Sequence, residues 1–147
     1  MLIKENQLLQ KFKEQNLNYI PLLLYGPNEG LIRENYIKLK KIFNQTNFEE
    51  INLVGKSISE QPETLIDEIK TVSMFNDHKI IAIDQPLDKN VEIFEEAFAM
   101  LPNNTLIIVL ANNLKKTSKI RKFFENSKSF FACANYEDDL RSNSQQI

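Results

Sequence analysis

The sequence predicts an α/β fold: three layers (α/β/α), with a five-stranded parallel sheet between two layers of helices. Five apolar runs of strand length alternate with segments whose apolar residues recur at helical spacing. Three of the runs are nearly unbroken Ile, Leu and Val, the composition of strands covered on both faces. Repetition of strand, helix, strand makes consecutive strands parallel and sends the connecting helices across the two faces.

Taken in order, a short amphipathic helix around Leu8–Phe12 precedes the first strand, Tyr19–Gly26. Leu31, Ile32, Tyr36, Leu39, Ile42 and Phe43 then form one helical stripe, with Arg33, Glu34, Lys38 and Lys41 off it. The second strand, Phe48–Gly55, carries apolar residues alternately at Ile51 and Leu53, as a half-exposed edge strand does. Pro62 suits the first turn of a helix striped by Leu65, Ile66, Ile69 and Val72. The third strand is Lys79–Asp84. Val91, Phe94, Ala97, Phe98 and Leu101 make the next helix, stopped by Pro102, and Thr105–Ala111 is the fourth strand. A last helix, with Thr117 or Ser118 as N-cap, buries Ile120, Phe123 and Phe124 before the fifth strand, Ser129–Tyr136. The chain then stops with no closing element, which is expected of a domain cut from a longer protein.

At 147 residues, 42% hydrophobic and 26% charged, the chain has the profile of one globular domain. A net charge of -2 offers no general basic field for nucleic acid. No run approaches the roughly 20 apolar residues of a membrane span, and the charged N-terminus is unlike a signal peptide. One cysteine, Cys133, excludes an internal disulfide and a multi-cysteine metal site. A cytoplasmic location is the expectation.

The first strand runs into LLLYGPNEGLIR, residues 22–33, laid out like the start of a phosphate-binding loop. Such a loop needs GxxxxGK[ST]: glycines to turn amides toward phosphate, a lysine for charge, a hydroxyl for magnesium. Counted from Gly26, those last three positions hold Leu31, Ile32 and Arg33, and the second glycine arrives one place early, at Gly30. Arg33 is one place late for the lysine and is no magnesium ligand, while Leu31 and Ile32 belong to the helix stripe. A strand-to-helix turn is therefore the favoured reading over a working ATP site. Asp84 ends the third strand where a magnesium-binding acid would stand, but Gln85 replaces the water-activating carboxylate. Asn112 follows the fourth strand, where a polar sensor often sits. Gly26, Gly30, Asp84 and Asn112 are thus read as vestiges of a nucleotide site in a P-loop NTPase-like domain with a degenerate phosphate loop. No catalytic residue, cofactor or metal is expected.

The segments LLLYGPNEGLIRE, SMFNDHKIIAID, LANNLKKTSKIRKFFEN and FFACANYEDD, in this order and at this spacing, resemble the N-terminal domain of the delta subunit of bacterial DNA polymerase III, part of the sliding-clamp loader. YGPNEGLIRE and LKKTSKIRKFFE are the most telling, and the resemblance covers nearly the whole chain. It implies an AAA+-like domain over residues 1–141, a frayed polar tail at 142–147, and the absence of the family's lid and collar domains. It implies a subunit without catalysis of its own in a DNA-directed DNA polymerase holoenzyme. That subunit grips the sliding clamp (the beta subunit) and helps open it for loading onto primed DNA during replication. ATP hydrolysis belongs to other subunits. The implied partners are the clamp and, through the full-length chain, gamma/tau and delta-prime; DNA is met only indirectly and a membrane not at all. The delta-prime type carries zinc-binding cysteines, so a single cysteine argues against it.

Within Val72–Asp77, Met74 and Phe75 fall off the inward stripe of the preceding helix, beside Asn76 and Asp77. The residues alone leave two readings. The pair caps the core below the third strand, the favoured one, or it is displayed to a partner's pocket. In the delta family a Ser-Leu-Phe triplet at this place plugs the clamp's hydrophobic pocket. Ser73, Met74 and Phe75 match it with Met for Leu, while Lys70 stands where a glutamine often opens such motifs. The resemblance turns the preference to clamp binding by Ser73, Met74 and Phe75. The alternative is a divergent P-loop NTPase or nucleotide-binding domain. The lysines of 115–122 read as a solvated face, His78 as a strand-start surface residue and Cys133 as a small buried hydrophobe.

Overall fold

The structure, a computed structural model, describes residues 2–14, 20–42, 48–71, 78–127 and 130–135. Six parallel strands form one sheet: β1 (Leu2–Ile3), β2 (Leu22–Tyr25), β3 (Phe48–Val54), β4 (His78–Asp84), β5 (Thr105–Leu110) and β6 (Phe131–Ala134). Their order across the sheet is β1-β6-β2-β5-β4-β3. The helices are α1 (Glu5–Glu14), α2 (Glu29–Ile42), α3 (Gly55–Glu60), α4 (Glu63–Lys70), α5 (Val91–Phe98) and α6 (Lys119–Glu125), with a 3-10 turn at Asp88–Asn90.

Alternation along the strands builds two cores. Leu22, Leu24, Ile80, Ala82, Leu106 and Ile108 point to one face, where they meet Leu8 of α1 and Ile32, Tyr36 and Leu39 of α2. Leu23, Tyr25, Ile81, Ile83, Ile107 and Val109 point to the other, where α3 to α6 supply Ile58, Leu65, Ile69, Phe94, Phe98, Ile120 and Phe124. The central strands are buried along their whole length because helices cover both sides, as their composition requires. β3 lies at the edge and alternates in burial, with Ile51 and Leu53 turned to the second core.

Two elements depart from the expectation. The sheet has a sixth strand: Leu2 and Ile3 pair in register with Ala132 and Cys133. Two residues are too few to show a period of two, so pairing with β6, and not local pattern, makes this strand. The second departure is α3, which begins at Gly55, where the sequence suggested only the end of a strand. One apolar residue, Ile58, is buried in it, too little for a stripe. Gly55 is required there by close approach: a Cβ would lie 2.3 Å from the Gln85 carbonyl oxygen and 2.9 Å from Pro86 Cα. Buried Asn90 closes this corner, donating to the Gly55 carbonyl (3.2 Å) and accepting from the Leu87 amide (2.7 Å). Tyr19, Phe43, Val72, Ser73, Met74, Phe75, Ser129, Tyr136 and the 142–147 tail lie outside the described residues.

Candidate functional site

The C-terminal ends of β4 and β5 and the first turns of α2 form one cleft, at the end of the sheet where open α/β folds usually bind ligands. The cleft has a volume of about 120 Å³ and is lined by Glu29, Ile32, Arg33, Asp84, Gln85, Leu110, Ala111 and Asn112. Of the four predicted vestiges, Asp84 and Asn112 line it. Gly26 follows β2 and packs against the Asn135 main chain, and Gly30 lies in the first turn of α2.

Three amides of the loop region, those of Gly26, Leu31 and Ile32, are engaged by the protein itself. The Gly26 amide donates to the Asn112 carbonyl (3.2 Å). Asn28 caps α2, its side chain accepting from the Leu31 amide at 3.0 Å and its carbonyl from the Ile32 amide at 3.1 Å. Ile32, at the lysine position, is buried. The carboxylate that would hold magnesium is occupied too, because Arg33 Nη2 lies 2.6 Å from Asp84 Oδ1. Ligand pockets run to about 300–1,000 Å³, well above this cleft. The residues present therefore do not fit a magnesium nucleotide, on the ground of engaged donors, a substituted lysine position and a cation already in place.

Behind the loop lies a buried polar group. Asn35 and Asn135 are both buried, and Asn35 Nδ2 donates to Asn135 Oδ1 and, at 3.3 Å, to Glu5 Oε2. Asn135 Nδ2 donates to the carbonyls of Cys133 (2.9 Å) and Tyr25 (3.3 Å), and its amide to Tyr25 again (2.6 Å). These bonds satisfy main chain at the ends of β2 and β6, and a Cβ on Gly26 would lie 2.1 Å from the Asn135 carbonyl oxygen. The sequence places Arg33 off the helix stripe and one place late for the loop lysine, without its Asp84 partner, and does not single out Asn28, Asn35 or Asn135. Asn28 had a legible cap signal, three residues before Leu31; the two buried asparagines had none. Burial, with Glu5 nearby, pushes the Cys133 thiol up to about 12, which keeps it protonated and unreactive at neutral pH.

Ser73, Met74 and Phe75, the predicted clamp-binding residues, lie outside the described residues. Their flanks are described: Thr71 follows α4 and His78 opens β4. These flanks stand at the opposite end of the sheet from the cleft, which lies where β4 finishes at Asp84. Among the described residues no group of His, Cys, Asp and Glu could hold a metal ion, and no helix is long and apolar enough to cross a membrane.

Comparison with known proteins adds three findings. Residues 22–134 match the family model described as DNA polymerase III, delta subunit. Two curated proteins of Ureaplasma parvum serovar 3 strains, both called DNA polymerase IV, are 30% identical over 123 residues, covering 78% of this chain and 32% of each relative. The chain thus spans about a third of the length of the curated relatives it matches. Among solved structures, the Bacillus subtilis DNA clamp loader delta protein superposes with a TM-score of 0.60 at 14% identity, over 86% of this chain and 41% of that one. A DNA polymerase III gamma subunit-related protein of Thermotoga maritima gives 0.56 at 18% identity, over 91% and 48%. At such identities the structural likeness carries the fold alone, a parallel-sheet α/β domain as expected from the sequence.

Proposed function

The chain belongs to the DNA polymerase III delta subunit family, and from that premise we propose that it is the clamp-gripping N-terminal domain of a clamp-loader delta subunit. In this reading it binds the sliding clamp through Ser73, Met74 and Phe75 and helps hold it open for loading onto primed DNA. The domain performs no catalysis itself. The observation that carries the reading is the family match over residues 22–134, inside which the Ser73-Met74-Phe75 triplet falls. The degenerate cleft agrees with it, because a subunit that works by binding has no use for a phosphate loop.

The mechanism is differential affinity. A gripping domain shifts a clamp between closed and open only by as much as it binds the open form more tightly. Phe75 supplies apolar area and Met74 an adaptable side chain, the two properties a hydrophobic pocket rewards. Within the holoenzyme the partners are the clamp and the other loader subunits, gamma/tau and delta-prime, with DNA reached through them.

The test is titration of a labelled cognate clamp with this protein and with its Met74→Ala/Phe75→Ala variant. Loss of an anchor costs about 2 kcal/mol or more, so affinity falls by roughly 30-fold or more. Equal affinity of the two proteins would overturn the proposal.

A further inference from the structure

Five lysines gather around the start of α6: Lys89 in the 3-10 turn, Lys115 and Lys116 in the loop after β5, and Lys119 and Lys122 in α6 itself. β4 and β5 are parallel neighbours, so the stretches that follow them emerge at the same end of the sheet. Asp88 ties these stretches together, since its Oδ1 accepts from the Ser118 hydroxyl (3.0 Å) and the Ile120 amide (3.2 Å). The loop is pinned from α6 as well. Arg121 Nη1 donates to the Leu114 carbonyl and the Ser118 amide to the Lys115 carbonyl, each at 2.9 Å. All five lysines are exposed, and among the described residues none of them forms an ion pair. The carboxylates hydrogen-bonded in this corner are engaged elsewhere, Asp88 as above and Glu125 with Tyr25 and Arg121. Glu92, one turn past Lys89, does not pair with it.

A chain of net charge -2 thus carries a local patch of one sign. What the patch lacks decides what it fits. The large apolar residues exposed among the described ones are Leu2, Ile37, Val54 and Met100, none of them in these stretches. A protein partner's interface has a more apolar centre, from which charges, lysine among them, are depleted. The aromatic residues of α6, Phe123 and Phe124, are turned into a ring cluster with Phe98 and Phe130. They do not offer the stacking platform that single strands use. Lysine is a compact point charge that holds phosphate without a fixed fork geometry. Charge without apolar or aromatic surface matches the duplex backbone, with one negative charge per roughly 1.7 Å of axis. We infer that Lys89, Lys115, Lys116, Lys119 and Lys122 form a sequence-independent contact for the phosphate backbone of duplex DNA. The pinned loop holds their main chain before DNA arrives, which lowers the ordering cost of association. This contact goes beyond the reading in which DNA is reached through other subunits. It does not depend on clamp binding, because the patch follows the ends of β4 and β5, away from His78 at the start of β4.

The experiment is fluorescence anisotropy of a labelled duplex of about 20 base pairs, titrated with this protein at several salt concentrations. Micromolar binding is expected at about 50 mM salt, with log affinity falling against log salt at a slope of roughly -4 to -5. Lys115→Gln/Lys116→Gln/Lys119→Gln is expected to weaken binding about tenfold or more and to shrink the slope by about three. Lys4→Gln/Lys38→Gln/Lys41→Gln makes the same change in net charge at exposed lysines beside α1 and on α2, which cover the opposite face of the sheet from α6. That control is expected to stay within about threefold of the parent. All six positions are exposed, and circular dichroism melts check that the variants fold. Should the patch variant not fold, Lys116→Gln alone is expected to shrink the slope by about one. Equal losses in the two triple variants, or no binding of the duplex by the parent, overturn the inference. Tighter binding of a single strand than of the duplex overturns it as well. Competition by polyglutamate as strong as by DNA at equal charge overturns it in favour of an acidic protein partner.

Discussion

Gly26 ends β2 with a φ of +139°, under the Asn135 carbonyl. A side chain there meets both a disfavoured backbone region and an oxygen 2.1 Å from its Cβ. Gly30 lies in the first turn of α2, and the nearest atom to a Cβ would be Asn28 Oδ1 at 3.5 Å, an ordinary contact. Gly26→Ala is therefore expected to destabilise the fold by about 2–3 kcal/mol or more. Gly30→Ala is expected to stabilise it by about 0.4–1 kcal/mol, since alanine loses less freedom on entering a helix. Urea unfolding of the two variants measures both, and equal shifts of the same sign would contradict the assignment. A phosphate loop would need glycines at positions 26 and 31; this protein keeps only Gly26, and needs it for packing.

At the scale of an element, α6 shows how a short helix is anchored from outside. Its seven residues are too few to be stable alone. At its start, Ser118 accepts from the Arg121 amide, while Asp88 Oδ1 accepts from the Ser118 hydroxyl (3.0 Å) and the Ile120 amide (3.2 Å). Partial burial raises the Asp88 carboxyl, but these donors and the Lys119 charge outweigh that and hold it below its ordinary 3.8. At the other end Glu125 receives Tyr25 Oη (2.6 Å) and Arg121 Nε (2.8 Å). Burial raises Glu125 too, and these two donors bring it below its ordinary 4.5. Carboxyls lowered in the folded state contribute stability that is complete above their unfolded values and is lost as pH falls through the folded ones. The melting temperature is thus expected to drop as pH falls from about 5 to about 3, and to drop less in Glu125→Gln and Asp88→Asn. Parallel pH profiles for variants and parent would show that these contacts carry no linkage.

For the whole molecule, the cleft and the point where the described chain resumes at His78, after the segment proposed to bind the clamp, lie at opposite ends of one strand. β4 runs from His78, beside the 72–77 segment, to Asp84 in the cleft, about 20 Å at roughly 3.3 Å per residue. Substitutions separated by more than about 10 Å usually act additively. Arg33→Ala opens the ion pair with Asp84, whose arginine is 56% exposed, so stability is expected to change by less than about 1 kcal/mol. Clamp affinity is expected to stay within about twofold of the parent, and calorimetry with Mg-ATP is expected to give no binding heat for either protein. Micromolar ATP binding that Arg33→Ala abolishes would instead support a divergent nucleotide-binding domain.

The sequence by itself determined the layers, five of the six strands, the edge position of β3 and the loss of the phosphate loop. All of these are periodicities or fixed spacings, which a chain displays without folding. Ser118 was legible as a cap for the same reason, since capping is settled within four residues. Tertiary structure alone decided the rest. Leu2–Ile3 became a strand because β6 offered an unpaired edge, and Gly55 opened a helix because Gln85 and Pro86 press on it. Arg33 found Asp84, 51 positions away, and Asn35 found Asn135, 100 away. Lys79 reached back to α4. Such partnerships join residues that share no period, so their bond energy exists only once the sheet has brought the strand ends together.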